Sequence, residues 1–182
     1  MTELVLRNRQ RTRNVNSPLL RRVTSVLLTD LLLLERSELA IHLVAAPEMA
    51  RVNQQFLDHA GSTDVITFDY SFPMLGREGD DGSSSRRPDS KAVRGGSARL
   101  AERIHGEIFI CIDDAVKQAR QFRTTWQSEL ARYLIHGVLH LVGYDDLTAA
   151  GRRVMKREEN RLLRMLSRRF FLGHLAIAAR KS

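Results

Sequence analysis

The run His136, Gly137, Val138, Leu139, His140, Leu141, Val142, Gly143, Tyr144, Asp145, Asp146 sets two imidazoles four residues apart and two carboxylates just beyond a glycine. Positions i and i+4 share one face of a helix, so both rings can reach a single ion. Gly143 can end that helix and turn the chain back, which brings Asp145 or Asp146 in as a third ligand. Three protein ligands with a fourth position open is the pattern of a catalytic zinc. A structural zinc takes four, mostly cysteines, and this chain has one cysteine, Cys111. Two histidines at this spacing can also be ordinary packed or solvated side chains. Two histidines and a carboxylate also serve non-haem iron oxygenases, although no motif for a redox cosubstrate accompanies them here. Gly137 stands where H-E-x-x-H proteases keep their glutamate base, so peptide hydrolysis by that route lacks its base. A mid-helix glycine costs about 1 kcal/mol relative to alanine and hints at close approach by neighbouring backbone or by substrate.

The histidine helix needs a start, a packed face and neighbours. Thr124 with Gln127 three residues on reads as a capping box, and Leu130, Leu134, Val138 and Leu141 keep one stripe apolar. Upstream, Leu4 to Arg7 predicts a short strand, and Arg7, Arg9, Arg11 and Arg13 an exposed basic turn. Leu19, Leu20, Val23, Val26, Leu27, Leu31 and Leu34 repeat as a core helix entered at Pro18. Residues 39–45 and 64–70 read as strands, with a helix from Pro47 between them in a βαβ arrangement. Residues 104–112 form another strand, and residues 113–122 a helix with acids in its first turn. The segment 77–103, with GDDGSSSRRPDS and RGGS, reads as a flexible insertion loop. A final helix starts after Thr148, with Val154, Met155, Leu162, Met165 and Leu166 facing inward. Three or four strands with about five helices make a single α+β domain across residues 1–182.

One domain suits 182 residues of which 43% are hydrophobic. A single cysteine and no leader of secretory type predict a cytoplasmic protein. No apolar stretch approaches the roughly 20 residues that span a bilayer, so no membrane is expected. The net charge of +8 has an uneven source: residues 151–182 hold ten Lys or Arg against two Glu, and the rest of the chain balances. Arg152, Arg153, Lys156 and Arg157 open this basic helix and tail, at about 148–182, and are the candidate nucleic-acid contacts. Such a face displaces counterions from phosphates. A solvated basic helix without a partner is the competing reading.

The order of glycines, histidines and acids in residues 136–146 resembles the signature H-G-x-L-H-L-x-G-Y-D-H of the YbeY family, bacterial metal-dependent endoribonucleases of ribosomal RNA maturation. It departs at the last position, where the family has a third histidine and this chain has Asp146. Val52 to Leu57 resembles the family's L-N-x-x-Y-R. Thr63 to Phe68 resembles T-D/N-V-L-S-F, and Gly106 to Ile110 the strand G-D-I-x-I. The blocks stand in family order and cover about residues 38–165. The resemblance implies a small mixed sheet backed by helices, with the metal site on a helix ending in a glycine turn.

It also implies one zinc per chain on His136, His140 and Asp146, with Asp145 as rival ligand or as a support for a histidine. The implied activity is single-strand endonuclease action in ribosomal RNA maturation, in small-subunit 3′ end processing and in ribosome quality control. The implied partners are ribosomal RNA and small-subunit components, without an organic cofactor. RNA carries its own nucleophile in the ribose 2′-hydroxyl, so a metal and positive charge could act without a protein base. No catalytic residue is assigned. Leu57 replaces an arginine thought to serve the active site, leaving transition-state charge to His59 or an insertion arginine; the remaining histidines, His42, His105 and His174, read as ordinary core or surface residues. The alternative is an RNA- or ribosome-docking module whose metal serves only structure. Aspartate in place of a third histidine lowers the charge of a zinc site from about +2 to about +1. This predicts a higher pH optimum than in three-histidine relatives, and Asp146→His should move the rate profile to lower pH.

Overall fold

The computed structural model describes residues 2–71 and 103–177. Eleven elements follow one another: β1 (Thr2–Asn8), α1 (Ser17–Val26) continued by a π-helical turn (Leu27–Leu31), β2 (Arg36–Val44), α2 (Ala46–Leu57), β3 (Val65–Asp69), β4 (Arg103–Cys111), α3 (Ile112–Phe122), α4 (Trp126–Leu141), α5 (Ala149–Arg169) and a 3-10 turn (Leu172–Leu175). This is the α+β class expected, with a four-stranded mixed sheet and five α-helices.

The sheet order is β1-β2-β4-β3. β1 and β4 run parallel to β2, and β3 runs antiparallel to β4. Two connections are therefore parallel crossovers, β1-α1-β2 and the longer one from β2 through α2 and β3 to β4. The βαβ arrangement expected around α2 does not form, because β3 leaves β2 and pairs on the far side of β4. Composition explains the exchange. β4 buries Ile104, Ile108 and Ile110 and so belongs inside the sheet, whereas β3 is short, half-buried and ends at Asp69, as suits an edge.

Alternation along the strands divides the core between the two faces. On one face Leu39, Ile41, Leu43, Ile108 and Ile110 join Leu20, Val23 and Leu27 of the first helix with most of α4 and the apolar stripe of α5. On the other, Val44, Ile66 and Cys111 pack under Met49 of α2, with Phe68 and Phe109 beside them. His42 belongs to this second face, as a core residue: it is 3% exposed and stacks on Phe109 with 4.4 Å between centroids. Burial holds its pKa below the ordinary histidine value. The chain past α5 also docks: Leu175 is buried, its carbonyl accepts from Asn16 N, and Ala176 bridges to Val15.

Three expectations shift in detail. The cap of α4 is Thr125, whose hydroxyl accepts from Ser128 N at 3.2 Å, while Thr124 donates to Glu129 at 2.5 Å. Thr125 has the extended backbone that an N-cap requires, which moves the cap one residue on. Val154 faces solvent at 43% exposure, because the inward stripe of α5 is Met155, Glu159, Leu162 and Leu166. Most of the flexible insertion assigned to 77–103, and the end of the tail, lie outside the described residues; Arg103 is the first residue of β4.

Gly137 has a packing role. A Cβ there would stand 2.8 Å from Ile108 Cγ2 and 3.0 Å from its Cδ1, so the close approach is to the sheet and not to substrate. Gly137→Ala should lower thermal stability, since overpacking costs about 1–3 kcal/mol against about 1 kcal/mol gained in helix propensity. Calorimetry with a parallel metal count would separate that loss from damage to the site.

Candidate metal centre

α4 carries both histidines and is anchored on all sides. Leu130, Leu134, Ile135, Val138 and Leu139 are fully buried, each worth about 1.5–3 kcal/mol relative to exposure. A helix so held fixes the direction of its remaining face, where His136 and His140 stand. The chain then reverses in a Schellman turn: Tyr144 N donates to Leu139 O and Gly143 N to His140 O, both at 3.0 Å. Gly143 has φ +102°, a conformation that side-chain-bearing residues rarely adopt.

This turn does chemistry as well as topology. The carbonyl of Tyr144 accepts from His140 Nδ1 at 3.1 Å, and the residues beyond it swing back over the helix. His136, His140 and Asp146 come together with one ligand atom from each within 4.8 Å of the others. The two Nε2 atoms are 3.0 Å apart, near the roughly 3.3 Å expected of two nitrogens in one tetrahedral zinc shell. Of the two aspartates, Asp146 reaches the cluster. Asp145 accepts from Leu147 N at 3.0 Å and shapes the turn. Arg152, at the start of α5, donates to the carbonyls of Asp146 and Leu147, both at 3.1 Å, and so ties down the loop that presents Asp146.

Glu159 was not singled out from the sequence. It is 6% exposed in the apolar stripe of α5, and its Oε1 lies 2.7 Å from His136 Nδ1. A carboxylate among Met155, Leu162 and Leu166 at helical spacing was the available signal, because a buried charge requires a partner. Each histidine thus commits its Nδ1–H to an oxygen and leaves the Nε2 lone pair toward its neighbours, the arrangement that metal-bound imidazoles need.

The electrostatics divide the pair. Burial alone would depress the pKa of His136, but the hydrogen bond and charge of Glu159, with Asp146 and Asp64 further off, carry it above the ordinary value. Burial and then the positive charge of His136 hold His140 below its ordinary value. Burial would raise Glu159, yet the His136 bond and the charge of Lys156 outweigh it and keep the acid ionised.

Two clefts meet at His136. One, of about 310 Å³, runs along β3 and is lined by Leu57, Thr67, Asp69 and both histidines. Leu57, where the resemblance leads one to expect an arginine, therefore does open onto the site and is half exposed there. The other, of about 490 Å³, lies between α3, α4 and α5 and includes His136, Arg132, Lys156 and Glu159. His59 is exposed in the loop after α2 and lines neither cleft. Arg153 and Arg157 are exposed on α5, as is Lys156, whose Nζ lies 3.4 Å from Glu159. No helix among the described residues is long and apolar enough to cross a membrane.

The model of the family described as Endoribonuclease YbeY matches residues 5–167. The Endoribonuclease YbeY of Salinibacter ruber is 35% identical over 127 residues, covering 70% of this chain and 69% of that one. Its Flavobacterium psychrophilum counterpart is 31% identical over 145 residues, covering 79% and 81%. A Thermotoga maritima protein known from its solution structure superimposes with a TM-score of 0.57 over the full length of both chains, at 21% identity, and so shares the fold. With the histidine helix, its glycine turn and the upstream blocks all inside the matched range, the chain belongs to the YbeY family of endoribonucleases.

Proposed function

We propose that this protein is a zinc-dependent, single-strand endoribonuclease of ribosomal RNA maturation, acting in small-subunit 3′ end processing and in ribosome quality control in the cytoplasm. The observation that carries the reading is the convergence of His136, His140 and Asp146, with both imidazole Nδ1 atoms already engaged by Glu159 and Tyr144. Three protein ligands on one side of an open cleft leave room for a substrate oxygen. A zinc held there would polarise a phosphoryl oxygen and stabilise the charge that builds on it.

The remaining work falls to the chain. His136 and His140 are kept in the tautomer that points Nε2 into the cleft. Asp146 supplies negative charge to the ligand set and is held by the turn that Arg152 ties. The basic face of α5, with Arg153 and Arg157 exposed, attracts the phosphate backbone and sets its path past the histidines. The ribose 2′-hydroxyl offers a nucleophile that needs no dedicated base from the protein. Ribosomal RNA, with small-subunit components, is the partner that this charge and family suit. The competing reading, a docking module with a structural metal, is disfavoured by a ligand set of three beside two clefts.

Purified protein should cut single-stranded RNA and spare a duplex of the same sequence. Cleavage should stop with chelator and return with zinc. Tight RNA binding with no cleavage under any divalent ion would favour the docking module instead.

A further inference from the structure

The larger cleft beside His136 contains features that metal binding does not use. Tyr133 is 5% exposed, lines this cavity, and its hydroxyl has no hydrogen-bond partner. A buried hydroxyl without a protein partner leaves a donor that the polar edge of a ligand can satisfy. Phe122, the last residue of α3, lines the same cavity and is 61% exposed. Gln118, one turn earlier, adds an amide to the wall.

The charges of the wall say what kind of ligand suits it. Arg132 and Lys156 both reach Glu159, at 3.4 Å each, and Asp64 and Glu129 add further carboxylates to the lining. Cations matched by acids do not select a phosphate. They suit a neutral, flat group with polar edges, and about 490 Å³ falls in the range of small-molecule sites. A phosphate would instead be drawn to an ion held by His136, on the rim of the same cleft.

We propose that this cavity is a base-binding subsite. It receives the nucleobase of a nucleotide flanking the bond held at the metal centre, stacked on Phe122 and hydrogen-bonded at its edge to Tyr133. The proposal rests on the reading of the protein as an RNA-cleaving enzyme, and it assigns Phe122 and Tyr133 the positioning of substrate rather than a part in the bond-breaking step. Stacking on an aromatic ring is the sequence-tolerant way to hold single-stranded RNA, and it explains a preference for unpaired strands, whose bases are free to leave the stack.

The test uses the metal-loaded full chain and a short single-stranded RNA blocked with 2′-O-methyl groups, alongside a series carrying one abasic site at each position in turn. Fluorescence anisotropy should show Phe122→Leu binding the intact RNA roughly 5- to 100-fold more weakly than wild type, the range of base–aromatic stacking, with Phe122→Trp restoring affinity. At one abasic position the wild type should weaken to the same level and Phe122→Leu should cost nothing more. Tyr133→Phe should lose affinity by about 2- to 10-fold, the worth of one hydrogen bond, while its melting temperature stays equal or rises.

Equal binding by Phe122→Leu and wild type would overturn the subsite, as would a loss that persists with every abasic RNA. Cleavage of ordinary RNA read in parallel separates the two claims. Dependence on Phe122 without any cleavage would support the subsite and sink the nuclease reading. Normal cleavage by Phe122→Leu with unchanged KM would do the reverse.

Discussion

His140→Ala is expected to abolish metal binding and lower RNA cleavage by at least about a thousandfold. His140 supplies one of three converging ligand atoms, and the other two cannot hold an ion with a chelate of that quality once it is gone. An ion acting on a phosphoryl oxygen is worth several kcal/mol of transition-state stabilisation, and each 1.4 kcal/mol or so is a factor of ten. The fold should persist, because the helix is held by Leu134, Ile135, Val138 and Leu139 and the imidazole is only half-buried. Circular dichroism and a cleavage assay on the same preparation check both halves of this expectation.

The second large effect belongs to Glu159. Glu159→Gln keeps an oxygen that can accept from His136 Nδ1 but removes the charge. Metal affinity near neutral pH should fall about 10- to 100-fold, as is usual when a group supporting a metal-bound histidine is changed. The pH dependence gives a sharper signature. Glu159 raises the pKa of His136, so protons compete with the ion at His136 from a higher pH than at an ordinary imidazole. Without the charge that competition begins at lower pH. The variant should therefore bind metal more weakly at neutrality while its acid fall-off moves downward, which titration at several pH values would reveal. A role confined to packing would leave the fall-off where it was.

Much of the site was legible because its parts lie close in sequence. His136 and His140 are one helical turn apart, and Gly143 is the residue that a reversal requires, so local rules sufficed. What local rules could not supply was the partner of each imidazole. The carbonyl of Tyr144 becomes an acceptor only when the Schellman turn closes, and Glu159 reaches His136 from another helix. In the sequence Glu159 counted simply as one of two acids in a basic segment.

The strands were likewise found within a few residues, each marked by a short apolar or alternating run. Their order was not, since the pairing of β3 depends on competition between β2 and β4 for the interior of the sheet. Leu31 and Leu34 kept helical spacing, yet regular helix gives way to a π turn at Leu27–Leu31, and Leu33 takes φ +54°. Apolar spacing reports which side chains face the core, not whether every turn between them stays regular.

In the proposed function, three side chains on one helix and its turn hold a single catalytic ion. Elemental analysis of the purified, untagged protein and of His140→Ala, counting each transition metal per chain, tests it most directly. Close to one zinc per chain is expected in the wild type and almost none in the variant. Little metal in either, or equal metal in both, would contradict it.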